Sequence, residues 1–428
     1  MADFDAIVIG AGCAGSVAAV ELARAGKSVL LVERGENGGS KNMTGGRIYT
    51  HSLKKVFPNF EEEAPLERKV THELISFLAD DAATTMEYAT PKLADDSVAS
   101  YTVLRAEFDA WLAGKAEEEG AECVFGMTVD DLLWDGNRVT GVSVGGDEIT
   151  AEVTIIADGA NSLLTEKAHL ATTPKPHQMA VGAKEVISLP EQVISDRFRC
   201  AAGEGAAWLF VGAPTKGHAG GGFLYANKDS ISLGMVATLS DLQTSDVPFS
   251  EFMNDFKANP LIAPLIEGGK TVEYSAHLVP EGGLSMVPEL VGDGCLVAGD
   301  AGMLCVNLGY QVRGMDYAIA SGSAVGRAAA AAIDAGDTSA AGLAGYKAEL
   351  ENSFVLKDLR SYQKVPAFME QTKRMYSEYP SMVCEMMHAL FAVDGEPVEP
   401  LKKKMMRPVK SRGLFSVLKE MKKGVDAL

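Results

Sequence analysis

Gly10, Gly12 and Gly15 stand at the spacing Gly-x-Gly-x-x-Gly, and Glu33 follows 18 residues after the last of them. Each type suits one part in holding a dinucleotide. Gly10 permits a tight turn, Gly12 admits a pyrophosphate to the backbone, and Gly15 lets a helix pack closely on a strand. A helix beginning there offers N–H donors and the positive end of its dipole. Glu33 can accept hydrogen bonds from a ribose. Three glycines alone are a weak signal, but here Asp5–Ile9 reads as a buried strand before them. A helix follows, and Ser28–Glu33 reads as a second strand, so the context is the one the chemistry requires.

Further residues of the right type lie along the chain. Residues 35–49 hold five glycines, with Arg47 beside Gly45 and Gly46. So many glycines cost backbone entropy, and close approach to a flat ligand would justify them. Arg105 opens a helix over 105–119 where its charge opposes the dipole, and a phosphate nearby would account for it. Asp158-Gly159 and Gly299-Asp300 each end an apolar strand. Asp300 is placed to accept hydrogen bonds from ribityl hydroxyls, and a helix starting near Tyr310 points its N–H groups into the same cleft. The cluster Gly220-Gly221-Gly222-Phe223 either turns a strand or presents backbone donors.

These residues need a scaffold, and the pattern supplies one. Residues 1–169 read as the first part of a nucleotide-binding domain, with strands near 122–133, 138–144 and 149–157 and a hairpin turn at Asp135-Gly136-Asn137. Residues 170–290 read as an antiparallel-sheet lobe, with strands at 179–187, 206–212, 220–226, 230–238 and 270–279 and helices near 190–196 and 248–257. Residues 291–338 complete the first domain, and 339–428 form a helical region. There, Met375–Phe391 reads as methionine-rich core packing, and 414–428 as an amphipathic basic helix suited to a membrane surface.

The 428 residues are 47% hydrophobic and 23% charged, the balance of a globular protein too long for one core. A formal net charge of −19 argues against nucleic-acid binding. Nine of the basic residues and only three acids fall between 399 and 428, so the tail alone is positive and suited to a negative surface. The six cysteines form no CxxC pair and the seven histidines no close ligand spacing, so no metal site is expected from this chain alone. No apolar run reaches a membrane span, and the N-terminus enters a strand without a secretory signal, which makes a cytoplasmic location the expectation.

With three elements in order, Gly10–Glu33, Asp158-Gly159 and Gly299-Asp300, the chain resembles the glutathione-reductase-like flavoproteins. The implied fold is α/β: an FAD-binding Rossmann-type lobe with an inserted mixed or antiparallel sheet lobe and a helical C-terminal region. The stretches Ser40-Lys-Asn-Met-Thr-Gly-Gly-Arg47, Val279-Pro-Glu-Gly-Gly283, Gly309-Tyr-Gln-Val-Arg-Gly-Met-Asp316 and Ser353-Phe-Val-Leu-Lys-Asp358 resemble the FixC family over essentially the whole chain. That resemblance implies non-covalent FAD, electron uptake from FixA/FixB-like electron-transfer-flavoprotein subunits, and delivery to a membrane quinone. It also implies a FixX-like ferredoxin subunit, because this chain lacks the cysteines for the four-iron cluster that related quinone oxidoreductases carry. The complex would be electron-bifurcating, and its location peripheral at the cytoplasmic membrane.

By the same resemblance, Arg34, Lys41, Asn42, Gly45, Gly46, Arg47, Arg105, Asp300, Asn307 and Gly309 join Gly10, Gly12, Gly15, Glu33, Asp158, Gly159 and Gly299 around FAD. Gly220, Gly221 and Tyr310 are expected at the quinone. Gly222 replaces a residue that usually bears a side chain, which implies a looser pocket. No side chain is assigned an acid–base role, since the flavin carries the chemistry. A geranylgeranyl-reductase-like or hydroxylase-like flavoenzyme acting on a lipid or aromatic substrate is the alternative.

Overall fold

The computed structural model describes residues 2–40 and 46–428, so Lys41, Asn42 and Gly45 lie outside the described residues. The chain forms two compact units, each assembled from three stretches. The first comprises Met1–Glu67, Asp95–Lys175 and His277–Ser361; the second comprises Arg68–Ala94, Pro176–Ala276 and Tyr362–Leu428.

In the first unit, β1 (Phe4–Ile9), α1 (Cys13–Arg24) and β2 (Val29–Glu33) form the opening βαβ motif. Ala6–Ile9 and Val29–Val32 are buried as continuous apolar runs, the pattern of parallel strands covered on both faces. The parallel order is Cys295–Val297, Asp147–Ile156, β1, β2, Glu122–Phe125. The strand Asp147–Ile156 serves twice. Its second half pairs with β1, while its first half joins Arg138–Val144 and Val129–Asp135 in an antiparallel meander. The strand expected near 122–133 is therefore two, broken at Gly126, where φ is +75°.

The helix expected from Tyr310 begins instead at Met315 and runs to Ala335. Val306–Asn307 and Val312–Arg313 pair as a small hairpin, with the Leu308 N–H donating to Gln311 O at 2.9 Å and Gly309 at φ +80°, and this delays the helix. Once formed, the helix lies directly on α1. A Cβ at Gly322 would stand 2.3 Å from Ala14 O, and one at Gly326 2.7 Å from Ala18 O, so the two backbones are in contact.

The second unit's strands lie in a mixed sheet in the order Lys270–Pro280, Met179–Ser188, Ser230–Thr238, Gly220–Ala226, Glu204–Gly212, Leu66–Leu78, and Ala83–Ala89 pairs with Leu66–Leu78 off that path. The pair Glu204–Gly212 with Leu66–Leu78 is parallel, whereas the pairs flanking it are antiparallel. Helices Glu191–Phe198 and Phe249–Ala258 cover one face. There Ile194, Phe198, Phe252 and Phe256 bury Trp208, Phe210, Leu224, Leu233 and Met235. Trp208 keeps its polar atom satisfied by donating Nε1–H to Ser76 Oγ at 2.7 Å.

The same unit ends in three helices, Glu378–Phe391, Leu401–Ser411 and Leu414–Ala427. The methionine-rich stretch is less buried than a core would be: Tyr376 and Cys384 are buried, but Met382, Met386 and Met387 are only half-buried. Arg412 pairs with Glu385 at 2.6 Å, and Arg374 donates to Arg412 O at 2.6 Å, fixing the last helices to the one before.

Candidate functional site

The first site grows from the turn between β1 and α1. Gly10 has φ +98°, and a Cβ there would stand 2.4 Å from Ala157 O at the end of the neighbouring strand. A Cβ at Gly15 would stand 1.8 Å from Gly10 O. A side chain at Gly10 would run into the end of the neighbouring strand, and one at Gly15 would push α1 off the turn. Gly12 caps α1 in extended backbone, leaving the first-turn N–H groups with no side-chain cap.

Glu33 does more than its place at a strand end suggests. Its Oε2 accepts the Ala11 N–H at 2.8 Å and its Oε1 the Gly35 N–H at 2.7 Å, so the carboxylate ties the turn to the loop after β2. An ionised carboxylate has about four acceptor sites, so capacity remains for ribose hydroxyls.

The other two elements converge here. The Gly10 cradle lies 3.2 Å from Asp158 Cα, and a Cβ at Gly299 would meet Ala14 Cβ at 2.7 Å. Gly299 N–H donates to Ser321 Oγ at 3.0 Å, which seats the Gly299–Gly302 turn on the Met315–Ala335 helix. Burial pushes the Asp158 carboxyl up to about 6, against the hydrogen bond from Ser162. Burial likewise raises Asp300, with Arg105 opposing. Gly159, at φ +83°, gives the Asp158 turn its left-handed step.

Arg105 is buried and is not a lone cation opposing a dipole. Its Nε and Nη2 donate to the two carboxylate oxygens of Asp109 at 2.9 and 2.6 Å, and Cys13 Sγ lies 3.4 Å from the same carboxylate. Burial works against the Arg105 charge, but Asp109 outweighs it and the guanidinium stays ionised. Burial, and then Asp109, raises the Cys13 thiol far above its ordinary value, so it is inert.

Part of the glycine loop serves this helix as well. A Cβ at Gly38 would lie 2.7 Å from Asp109 O, and one at Gly39 2.5 Å from Arg105 O. These two glycines approach protein backbone, where the sequence suggested a ligand. Gly46 accepts the Val103 N–H at 2.9 Å, Arg47 donates to Ser100 Oγ and lies 4.5 Å over the Tyr49 ring, and Arg34 is exposed.

Asn307 Oδ1 accepts the Gly309 N–H at 2.9 Å, and Tyr310 stands exposed at the hairpin tip. Behind the hairpin lies a cluster that the sequence alone did not assign. Arg313 donates to Asp316 at 2.9 and 2.6 Å and to Asp358 at 3.1 Å. Its guanidinium stacks on Tyr317 and Phe354, while Tyr317 Oη–H donates to Asp358 at 2.8 Å and His51 Nε2 lies 3.0 Å from Asp316. The stretches 309–316 and 353–358, far apart in the chain, are thus joined by one ion-pair network. The aspartates at matching ends of those stretches were the available signal.

The second unit carries the other glycines. Gly220 and Gly221 pair with Ala237 and Val236, but the ladder to Glu204–Gly212 stops at Phe210↔Gly222. Among the described residues, both glycines are therefore in register with one neighbouring strand only. Gly222 faces the other way: a Cβ there would lie 2.6 Å from Phe256 Cζ, so an aromatic ring of the core occupies the space. A looser pocket does not follow from its missing side chain. No group of three or more His, Cys, Asp or Glu among the described residues is arranged to hold a metal.

Three family models match: FAD dependent oxidoreductase over residues 5–171, the ubiquinone-binding domain of ETF-QO over 179–279, and the ETF-QO/FixC family C-terminal domain over 365–428. A probable electron transfer flavoprotein-quinone oxidoreductase, YdiS, of Escherichia coli K12 is 50% identical over 99% of both chains. The Protein FixC of the same strain is 48% identical over 99% of both. Among solved structures, a geranylgeranyl bacteriochlorophyll reductase-like protein from Thermoplasma acidophilum aligns with TM-score 0.71 at 17% identity, covering 95% of this chain and 98% of its own. PqsL of Pseudomonas aeruginosa, a probable FAD-dependent monooxygenase, aligns with TM-score 0.62 at 16% identity over 87% and 98%. At such identities the structural likeness concerns the fold alone.

Proposed function

The chain belongs to the FixC family of electron transfer flavoprotein–quinone oxidoreductases and is an FAD-dependent oxidoreductase of quinone-linked electron transfer; from that premise we propose how it works. Bound FAD supplies two-electron and one-electron redox chemistry in a single ring system. The residues of the first unit fit such a cofactor, because the first-turn N–H groups of α1 carry no side-chain cap and the Glu33 carboxylate beside them keeps acceptor capacity.

In our reading, the N–H groups at the start of α1 and Gly12 take the pyrophosphate, and Glu33 takes the adenosine ribose with its remaining lone pairs. Asp158-Gly159 and Gly299-Asp300 border the ribityl chain, with Arg105 balancing charge beside Asp300. Gly46 and Arg47, the Asn307–Gly309 hairpin and the N-terminus of the Met315–Ala335 helix face the ring. Lys41, Asn42 and Gly45 belong to the same proposal.

Electrons arrive from FixA/FixB-like electron-transfer-flavoprotein subunits and leave to a membrane quinone held by Gly220 and Gly221, with Tyr310 assigned to the same substrate. A FixX-like ferredoxin subunit takes the low-potential branch, so that quinone reduction drives ferredoxin reduction. The observation that carries the quinone half is the pair of glycines paired on one side only, inside the segment that matches a ubiquinone-binding model.

The protein reaches its quinone by docking on the membrane through its last helix. Phe415, Leu418, Met421, Val425 and Leu428 are exposed at helical spacing, beside the exposed Lys419, Lys422 and Lys423. No helix among the described residues is long and apolar enough to cross a membrane.

The test is direct. FAD-loaded, photoreduced protein is mixed with a short-chain ubiquinone, and then cycled with its electron-transfer-flavoprotein partner and NADH. Rapid reoxidation by the quinone is expected. Reoxidation by ferricyanide but not by quinone would remove the quinone assignment, and failure of the cycled reaction alone would remove the partner.

A further inference from the structure

The sheet of the second unit has two faces. One is filled by helices Glu191–Phe198 and Phe249–Ala258, and carries Glu185 bonded to Lys257 and Thr271. Side chains alternate along a strand, and directly paired residues share a face. The other face therefore carries Gly221, Phe223 and Tyr225 of one strand, Ser232 and Gly234 of the next, and Lys184 of the third.

Phe223, Gly234 and Lys184 form a single row across the three strands. Gly234 has to be glycine, because the Phe223 ring occupies the place of its Cβ, 2.2 Å from Phe223 Cζ. Phe223 and Tyr225 stack with centroids 5.3 Å apart. Lys184 is 1% exposed, and its Nζ lies 3.2 Å from Glu273 Oε1 on the adjacent strand, an ion pair in which that buried oxygen accepts no aligned hydrogen bond; Glu273 is 23% exposed. Two residues further along that strand, on the same face, Ser275 Oγ is buried without a hydrogen-bond partner among the described residues.

A lysine with only 1% of its side chain exposed is an unusual component of a sheet face. A lysine ammonium carries three N–H donors on a flexible four-carbon stem and accepts none. From Gly221 to Lys184 the path is two strand spacings across and two residues along, about 12 Å between Cα atoms. Backbone donors at one end of that span and a flexible four-carbon ammonium at the other suit a flat ring bearing two carbonyl oxygens, with Phe223 between them.

We propose that Lys184 is the proton donor in quinone reduction, with Glu273 returning its proton from water. The proposal rests on the quinone reading above. A quinone becomes a quinol by taking two electrons and two protons. A bound FAD in its anionic reduced form would supply both electrons and one proton and would itself be oxidised, so one proton is left for the protein to provide. Lys184 Nζ–H breaks as an O–H bond forms on the quinone oxygen remote from Gly221. The neutral amine then regains a proton through the Glu273 carboxylate.

The experiment uses the full-length, FAD-loaded protein and three variants, Lys184→Met, Lys184→Arg and Glu273→Gln. Photoreduced protein is reoxidised by a short-chain ubiquinone, which needs protons, and by ferricyanide, which needs none. Equilibrium binding of the oxidised quinone in the dark is measured beside it. Lys184→Met should slow quinone reduction about 100-fold or more, the usual range for a general acid, while leaving the ferricyanide rate unchanged and weakening the dark Kd far less than the rate. Lys184→Arg keeps the charge but cannot give up a proton, so it should be equally slow. Glu273→Gln should slow steady-state turnover, with the electron-transfer-flavoprotein partner and NADH as donor, more than it slows this single reoxidation.

The inference is overturned if Lys184→Arg retains the wild-type rate, if both acceptors slow together, or if only the dark Kd changes. Wild-type protein that reduces ferricyanide but not quinone would instead overturn the quinone reading beneath it.

Discussion

Two residues show how little freedom the nucleotide turn allows. Gly15→Ala would place a methyl group 1.8 Å from Gly10 O. Because the obstacle is backbone, we expect a cost of about 3 kcal/mol or more and loss of FAD, read as the ratio of flavin to protein absorbance and as the melting temperature. Asp158 gives a pH prediction. Its native pKa of about 6 lies above the ordinary carboxylate value of 3.8, so the native state binds more protons than the unfolded one between those values. Stability therefore falls as pH rises through that window, by at most about 3 kcal/mol. Asp158→Asn should flatten this slope in urea titrations across that same window; an unchanged slope would place the titration elsewhere. Gly10, Gly15 and Glu33 were legible because motif spacing fixes their backbone. The Arg105–Asp109 pair is just as local, at i and i+4, yet it was hidden. A positive charge opening a helix is accounted for equally well by a ligand phosphate and by a carboxylate one turn along, and spacing alone does not separate the two.

At the scale of elements, the apolar runs and turn residues were enough to place β1, α1, β2 and the second unit's strands between Met179 and Pro280. They did not place the start of the Met315–Ala335 helix. Val306, Asn307, Val312 and Arg313 have no strong strand pattern, and their hairpin is held by Gly309 and by the Arg313 network behind it. That network is long-range, linking residues 51, 313, 316, 317 and 358, and no local window contains it. Asp316 is 1% exposed and receives both Arg313 and His51. Asp316→Ala should cost about 3–5 kcal/mol, as breaking a buried pair does, in denaturant unfolding monitored by tryptophan fluorescence. A cost below about 1 kcal/mol would mean that Asp358 alone suffices for Arg313.

Across the whole molecule, charge is divided between a strongly acidic body and a basic last segment. The final helix buries Val417, Gly424 and Ala427, with Gly424 leaving room for Phe368, and leaves its apolar stripe outside. Replacing Lys419, Lys422 and Lys423 by Gln should weaken binding to anionic vesicles by about 1 kcal/mol per lysine, with FAD content unchanged; equal binding to neutral vesicles would exclude an electrostatic role. The two units also interleave in sequence, and this has a consequence for biosynthesis. The helix after Gly10 meets Gly299 at Ala14 and rests on a helix reaching Ala335, so its pocket has no far wall until about 290 further residues have left the ribosome. At about 5–20 residues per second, the N-terminal glycines wait roughly 15–60 s for those partners. Flavin capture is then a late event in the chain's synthesis, and FAD supply and chaperone cover during that interval set the yield of active protein.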